Sequence, residues 1–509
     1  MTSLSPLAEA FRAVLRDRRS EVLVMAPSES RTLTAQDIDT QACHFSAALA
    51  AQRLSQGQLV VTYIGNASVM PALVLACLRD GLTLMPVDRS TPPAELVALA
   101  ARWDAAAMVL PDGLDLGAAL SLDLTCPPEP WRRRKVDGHT NDSLAARLPG
   151  HHVPIGHGVA AWVATPLPPP GRHAPAAVLR LTSGSTGEPR VTCTEERHLV
   201  ADVVHIVEAM DIRQGTRQIG VIPLSHSYGF GNLLLPLLWQ GTPVLLRPQF
   251  VPTQVAPDIR SAALETFPGV PFMFEHLARH QDLSHLCSLR LAVSAGARLR
   301  YETVTAFHRA TGVKVRSFYG STETGGICFD GTDRLDERVP VGHPIGATRV
   351  ELVAEADAPE GSGRVRVSGP NVIDRYAGTD APHFDGVFLT SDYARVDANG
   401  THVLTGRVPS FVNVAGRKVV PQEVEAALRA LPGVSDAVAM GVDDAVRGEA
   451  LGACLVSDAA WDARTVREAL SSQLAAYKLP RVVVVTRMLP LTDRGKVDRA
   501  AIARLLGQA

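Results

Sequence analysis

Four short polar blocks carry the side chains in this sequence that can handle phosphate, metal and sugar hydroxyls. Leu181-Thr-Ser-Gly-Ser-Thr-Gly-Glu-Pro-Arg190 sets two glycines among four hydroxyl residues directly after a β-rich run. Such a loop brings backbone N–H and hydroxyl donors close to phosphate oxygens; its plainer reading is a flexible turn. It is not a Walker A loop, because GxxxxGK followed by Ser or Thr is absent. Phe318-Tyr-Gly-Ser-Thr-Glu-Thr-Gly-Gly326 offers one carboxylate, Glu323, among small residues, which suits a Mg²⁺ held partly by substrate phosphates or an ordinary acidic turn. Thr390-Ser-Asp392 and Gly406-Arg407 pair a carboxylate fit for a ribose with an arginine fit for a phosphate; alone, they are a turn aspartate and a surface arginine. Leu489-Pro-Leu-Thr-Asp-Arg-Gly-Lys-Val-Asp-Arg499 presents Lys496 in a polar loop, available for catalysis or simply solvated.

These loops need strands to hold them. From Thr32 to Asp88 the pattern alternates: helical spacing over Asp37–Arg53, a β-rich run Gln58–Tyr63, a helix over Ser68–Arg79 and a strand within Gly81–Val87. That alternation predicts parallel strands with crossover helices. Residues 112–175 are interrupted by prolines and read as a surface excursion, after which Ala176–Leu181 returns to strand. Strands and helices resume over 190–320, and short runs with Gly and Asp turns over 341–406 predict a mainly antiparallel region. Beyond Arg407 the texture is αββαβ, with a helix over Pro421–Leu431 opened by its proline. A tail of about 100 residues can close a core of its own.

The 509 residues, 46% hydrophobic and 20% charged, exclude a disordered chain, which cannot bury enough apolar surface. Fifty basic residues against 52 acidic leave a net charge of -2, so no nucleic-acid partner is expected. No apolar run reaches the ~18 residues that cross a bilayer, and no membrane partner is expected. The N-terminal MTSLSPLAEAFRAVLRDRR reads as an amphipathic helix rather than a signal peptide. Seven scattered cysteines without a CxxC pair point to reduced thiols in a cytoplasmic protein. Five of the 50 basic residues are lysines, which makes each one worth inspecting, because Lys and Arg present different donors.

Taken together, the order and spacing of the four blocks resemble the adenylate-forming superfamily: acyl- and aryl-CoA synthetases, nonribosomal peptide synthetase adenylation domains and beetle luciferases. The resemblance runs from about Thr32 to Ile502. The phosphate loop of that family is matched at 182–190 except that Arg190 stands in the lysine place. Y-G-x-T-E is matched at 319–323, T-G-D at 390–392 with Ser391 for glycine, and P-x-T-x-x-G-K-x-x-R at 490–499 in full. Val341-Gly-His-Pro344, Gly416, Pro421-Gln-Glu-Val-Glu425 and Tyr477-Lys-Leu-Pro480 fit as well. The resemblance implies an α/β fold, with a large N-terminal domain over 1–406 of layered, mostly parallel sheets with helices and a β-rich subdomain. A hinge at 407–409 and a small α+β lid domain over 410–509 would follow.

It also implies roles. Thr182, Ser183, Ser185, Thr186, Gly187 and Arg190 would wrap the ATP phosphates. Gly296, Ala297, Arg298, Tyr319 and Gly320 would hold the adenine end, with Thr322 at the α-phosphate and Glu323 at Mg²⁺. Asp392 would take the ribose hydroxyls with Arg407 nearby, and Lys496 would bridge the substrate carboxylate and the α-phosphate. The acyl pocket falls to Pro223-Leu-Ser-His226-Ser-Tyr-Gly-Phe-Gly231, with His226 as gate. Ser227, Tyr228, Phe230, Gly231, Phe272, Ser294, Gly325 and Gly326 would line it, although the aromatic residues also read as ordinary core.

Amino-acid-activating relatives place an aspartate in that segment. None lies between Val221 and Leu246, so a buried α-ammonium would go unpaired. The expected substrate is therefore an aryl or medium-chain carboxylic acid, ligated through an acyl-AMP to a thiol with ATP, Mg²⁺ and CoA. The alternatives are loading onto the phosphopantetheine of an acyl carrier protein, and a non-catalytic homologue; either a monomer or a homodimer fits. Gly416, Arg417 and Lys418 would face the thiol acceptor. At the hinge, Pro409 replaces the usual acidic or basic pivot and stiffens the segment on which a lid would turn.

Overall fold

The computed structural model describes residues 5–114, 150–182, 190–355, 358–378, 383–408, 412–414, 417–419, 421–444, 448–471, 473–474, 476–492 and 497–507. The chain divides into two compact units, Met1–Gly406 and Arg407–Ala509.

Two large sheets build the first unit. Edge to edge, the nine-stranded sheet runs His343–Pro344, Gly325–Phe329, Val315–Ser321, Leu291–Ser294, Thr266–Gly269, Gln218–Gly220, Val244–Leu246, Val22–Ala26 and Arg31–Thr34. Its inner strands pair in parallel, and antiparallel strands close both edges. The eight-stranded sheet runs Arg375–Tyr376, Val191–Glu195, Ala176–Leu181, Thr83–Pro86, Leu59–Thr62, Ala105–Pro111, Val159–Ala164 and Gly150–Gly156. Its parallel centre is the one the alternation of residues 32–88 predicts. Leu59–Thr62 shows why that run is apolar throughout. Val60 enters the main core, while Leu59 and Val61 enter a second core under the helix Pro93–Arg102. A parallel strand buried on both faces carries no polar alternation.

Residues 150–164 depart from the expected surface excursion. They form an antiparallel hairpin that extends the eight-stranded sheet through Ala107↔Val163 and Val109↔Ala161. His151 and His152 on the edge strand broke the β-rich signal there. Residues 115–149 lie outside the described residues.

The antiparallel region is a four-stranded sheet of Arg349–Val353, Gly363–Ser368, Val387–Val396 and His402–Arg407. In the second unit, Val434–Asp444 and Gly448–Ser457 form a long antiparallel pair, and Val482–Thr486 joins the latter in parallel. Alternate residues separate its two faces. Leu451, Ala453 and Leu455 pack with Val424, Leu428, Val466 and Leu470, whereas Cys454 packs with Ile502 and Leu506. Asp462 starts the helix Ala463–Leu470 with a capping box to Thr465.

Val315–Ser321 delivers Tyr319 to the site, and a buried ion pair anchors its start. Lys314 Nζ donates to Asp330 Oδ2 at 2.6 Å and to the Thr332 carbonyl at 2.9 Å. Both side chains are almost fully buried, at 5% and 0% exposure. Asp330→Ala would strand that ammonium, and denaturant unfolding is expected to show a loss of roughly 3–5 kcal/mol. A loss below about 1 kcal/mol would mean the pair anchors nothing.

Candidate functional site

The hairpin Val315–Phe329 carries the first half of the site. A register shift falls between Tyr319 and Gly320, and there the backbone closes on itself. A Cβ on Gly320 would stand 2.4 Å from the Gly325 carbonyl oxygen, so no larger residue fits. Gly325 takes a left-handed φ of +63°, and a Cβ there would meet Asp202 Oδ1 at 2.4 Å. The buried Asn371 pins the turn by donating Nδ2 to the carbonyls of Thr324 (2.7 Å) and Gly326 (2.9 Å).

Two phenols fix two carboxylates across this region. Tyr319 donates its OH to Asp392 Oδ2 at 2.8 Å. Burial, and then the charge of Asp392, push the Tyr319 phenol well above its ordinary value, so it stays a donor. Tyr376 donates to Glu323 Oε1 at 2.9 Å, and the Ile373 N–H holds the Glu323 carbonyl at 3.0 Å. Burial, followed by the Glu323 charge, likewise raises Tyr376. The Arg190 guanidinium lies 5.3 Å from the centre of the Tyr376 ring, within cation–π range. Two blocks far apart in sequence, through Arg190 and Glu323, thus meet at Tyr376, a residue that sequence reading did not single out.

The phosphate loop is described at its two ends. Thr182 N–H donates to the Arg190 carbonyl at 2.8 Å, and its hydroxyl donates to the same oxygen at 3.2 Å. Ser183, Ser185, Thr186 and Gly187 lie outside the described residues, as do Pro409, Gly416 and Lys496. Arg417 and Lys418 sit on the short strand Arg417–Val419. Arg407 ends the strand His402–Arg407 and is exposed. Gly296, Ala297 and Arg298 form an exposed turn after the strand Leu291–Ser294. Ser294 itself is buried, and its hydroxyl has no partner among the described residues. Thr322 is half-buried beside Glu323.

The segment after Pro223 forms a helix whose middle, Phe230–Leu234, widens into one π turn. Pro236 has no N–H for the Asn232 carbonyl four residues back, which accepts from Gln218 Nε2 at 3.3 Å instead. His226 stands at the helix start, and its Nε2 lies 3.2 Å from Asp88 Oδ2. Asp88 also accepts from the Ser90 N–H (2.9 Å), Ser90 Oγ (2.7 Å) and Ser225 Oγ (3.1 Å). Burial opposes its ionisation, but the hydrogen bonds from His226 and Ser90 prevail and hold its carboxyl well below the usual range. Asp88 follows a buried strand, where a single acid gave no signal in the sequence.

The expected pocket residues do not all converge. Half-buried Tyr228 donates to the Val293 carbonyl at 2.9 Å and tilts against Phe318. Phe230 is fully buried in the core, with the Arg180 guanidinium 4.7 Å from its ring centre. Phe272 is 37% exposed beside Phe250 and His276, so it stands with the surface rather than with Tyr228. Gly231, Gly325 and Gly326 instead meet around Asp202, on the helix Glu196–Ala209. Gly326 N–H donates to Asp202 Oδ1 at 2.8 Å.

The carboxyl groups of Glu323 and Asp392, each accepting from a phenol, together with the described ends of the glycine loop, make up the candidate site. The AMP-binding enzyme family matches residues 11–377, and the AMP-binding enzyme C-terminal domain matches residues 423–496. The chain is 28% identical over 502 residues to a sulfoacetate–CoA ligase of Cupriavidus necator, covering 94% of this chain and 93% of that protein. It is 30% identical over 343 residues to a feruloyl-CoA synthase of an Amycolatopsis species, covering 65% and 70%. Among solved structures, ATP-bound MatB from Rhodopseudomonas palustris shares the fold, with a TM-score of 0.74 at 22% identity over 99% of both chains. The chain belongs to the AMP-binding enzyme family, as an ATP-dependent acid–thiol ligase of the acyl-CoA synthetase class.

Burial raises the Asp202 carboxyl from its ordinary 3.8 to about 6, against the Gly326 hydrogen bond and the charge of Arg180. The folded protein therefore holds this proton where the unfolded chain has lost it, and the group's contribution to stability falls as pH rises from about 4 to 7. Asp202→Asn removes that dependence. Its stability relative to the wild type is expected to improve by up to about 3 kcal/mol across that window in parallel urea titrations. A difference that stays flat with pH would show the carboxyl to be ordinary.

Proposed function

We propose that this chain ligates an aryl or medium-chain carboxylic acid to CoA through an acyl-adenylate. The observation that carries the reading is a pair of long-range contacts made from the hairpin Val315–Phe329: Tyr319 with Asp392, and Glu323 with Tyr376, whose ring lies by Arg190. In the first step a substrate carboxylate oxygen bonds to the α-phosphorus, the bond to the β-phosphate oxygen breaks, and pyrophosphate leaves. In the second, the CoA sulfur attacks the acyl carbon and AMP leaves. Charge gathers on oxygens throughout, so catalysis rests on positioning and electrostatic stabilisation.

Asp392 takes the ribose hydroxyls, and its bond to Tyr319 aims it without neutralising it. Thr182, Ser183, Ser185, Thr186, Gly187 and Arg190 receive the phosphates. Among the described residues no group of three or more His, Cys, Asp or Glu side chains forms a metal cage. Glu323 has one oxygen engaged by Tyr376 and stands beside the Thr322 hydroxyl, a hard-oxygen set that fits a Mg²⁺ completed by phosphates and water. Such an ion would supply charge neutralisation for the departing pyrophosphate. His226, braced by Asp88, gates the acyl side, and Gly416, Arg417 and Lys418 serve the CoA side. Among the described residues no helix is long and apolar enough to cross a membrane, and the cysteines are unpaired, which fits a cytoplasmic enzyme.

Lys496 stabilises the developing charge between the carboxylate and the α-phosphate. Acid-dependent ATP–pyrophosphate exchange should fall by about 10²–10³ in Lys496→Ala, whereas near-normal exchange in the variant removes the assignment. Exchange measured over aryl, short, medium and long-chain acids, followed by CoA addition to the best of them, is expected to yield a thioester with an aryl or medium-chain acid. Exchange with no thioester would overturn the CoA step.

A further inference from the structure

Asp202 takes no part in the nucleotide network, and nothing in the adenylation chemistry calls for it. It is 7% exposed and stands on the helix that follows the phosphate loop. Its Oδ1 accepts from the Gly326 N–H. Its Oδ2 accepts no hydrogen bond among the described residues and faces Gly231, where a Cβ would come to 3.1 Å. Three residues expected around the acyl group, Gly231, Gly325 and Gly326, thus surround one carboxyl, and all three lack side chains. Any larger residue at Gly325 would displace it. Oδ2 is not sealed from solvent, unlike Nε and Nη2 of Arg180, so it is open to a donor that enters from outside the protein.

Behind it, Arg180 on the strand Ala176–Leu181 is 5% exposed, and its Nε and Nη2 have no hydrogen-bond partner among the described residues. It stacks on Phe230 and acts on Asp202 through its charge alone, favouring the ionised form. The Arg180 guanidinium therefore leaves Oδ2 open as an acceptor.

We infer that Asp202 is the specificity-determining floor of the acyl pocket, selecting carboxylic acids whose far end carries a hydrogen-bond donor, a hydroxyl or an amino group. The inference rests on the proposed acyl pocket and names the class of acid that pocket takes. It also revises the argument against cationic substrate groups. The segment 221–246 has no acid, but the neighbouring helix brings one to Gly231. A site built to accept a hydrogen bond rejects the analogue that lacks the donor, because the buried acceptor is then left unpaired.

The test uses matched acids: benzoate with 4-hydroxybenzoate and 4-aminobenzoate, cinnamate with 4-hydroxycinnamate, and octanoate with 8-hydroxyoctanoate. In exchange assays on the full chain, the donor-bearing acid of at least one set should exceed its parent in kcat/KM by about 10- to 100-fold. Asp202→Ala should bring that ratio close to one, whatever the absolute rate. Asp202→Asn, which keeps the volume and an acceptor for Gly326, guards against a folding defect and should cut the ratio several-fold. Parents that match their donor-bearing partners in the wild type, or a ratio that survives both substitutions, would overturn the inference. Calorimetric binding of the same sets to wild type and Asp202→Ala separates this result from the ligase reading. Absence of exchange with every acid would count against adenylation, while binding without discrimination would count against Asp202.

Discussion

In the proposed site a carboxyl group that holds a metal ion or a sugar has to be aimed. An arginine partner would aim it but spend its charge. In this protein neutral phenols do the aiming: Tyr319 holds Asp392, and Tyr376 holds Glu323. Burial keeps both phenols protonated, so each remains a donor to its carboxyl group. The surrounding architecture serves that arrangement. Lys314 and Asp330 lock the strand that carries Tyr319, Asn371 clamps the turn that carries Glu323, and Gly320 lets the backbone close tightly enough for both.

The opposite choice appears deeper in the first unit. Arg180 and Asp202 are buried without a hydrogen-bonded ion pair between them among the described residues, an arrangement that does not favour stability. Lys314 and Asp330, by contrast, touch at 2.6 Å and so offset the cost of each other's burial.

Much of this was legible in the residues. Alternation over 32–88 gave the parallel strands Leu59–Thr62 and Thr83–Pro86, because strands buried on both faces are apolar runs between helical periods. The αββαβ tail was legible for the same reason, although the short strands Val412–Val414 and Arg417–Val419 before it were not. Glu323 and Asp392 stood out as lone acids in short polar blocks, although Asp392 lies within the strand Val387–Val396 rather than in a turn. Asp88, Asp202 and Tyr376 did not, since each acts through a partner more than 50 positions away. Side-chain direction was equally hidden: Phe230 and Tyr228 are neighbours on one helix, yet one enters the core and the other turns to Val293. The family resemblance located the loops, but the contacts between them came from the fold.

The central claim is that Tyr376 acts through Glu323. A double-mutant cycle of Tyr376→Phe, Glu323→Gln and the pair, read in ATP–pyrophosphate exchange as kcat and as KM for MgATP, tests it directly. Tyr376→Phe keeps the ring under Arg190 and removes only the donor. The account predicts a coupling of about 1–2 kcal/mol, with the second substitution adding little once the first is made. Fully additive losses would contradict it, and would mean that phenol and carboxylate work apart.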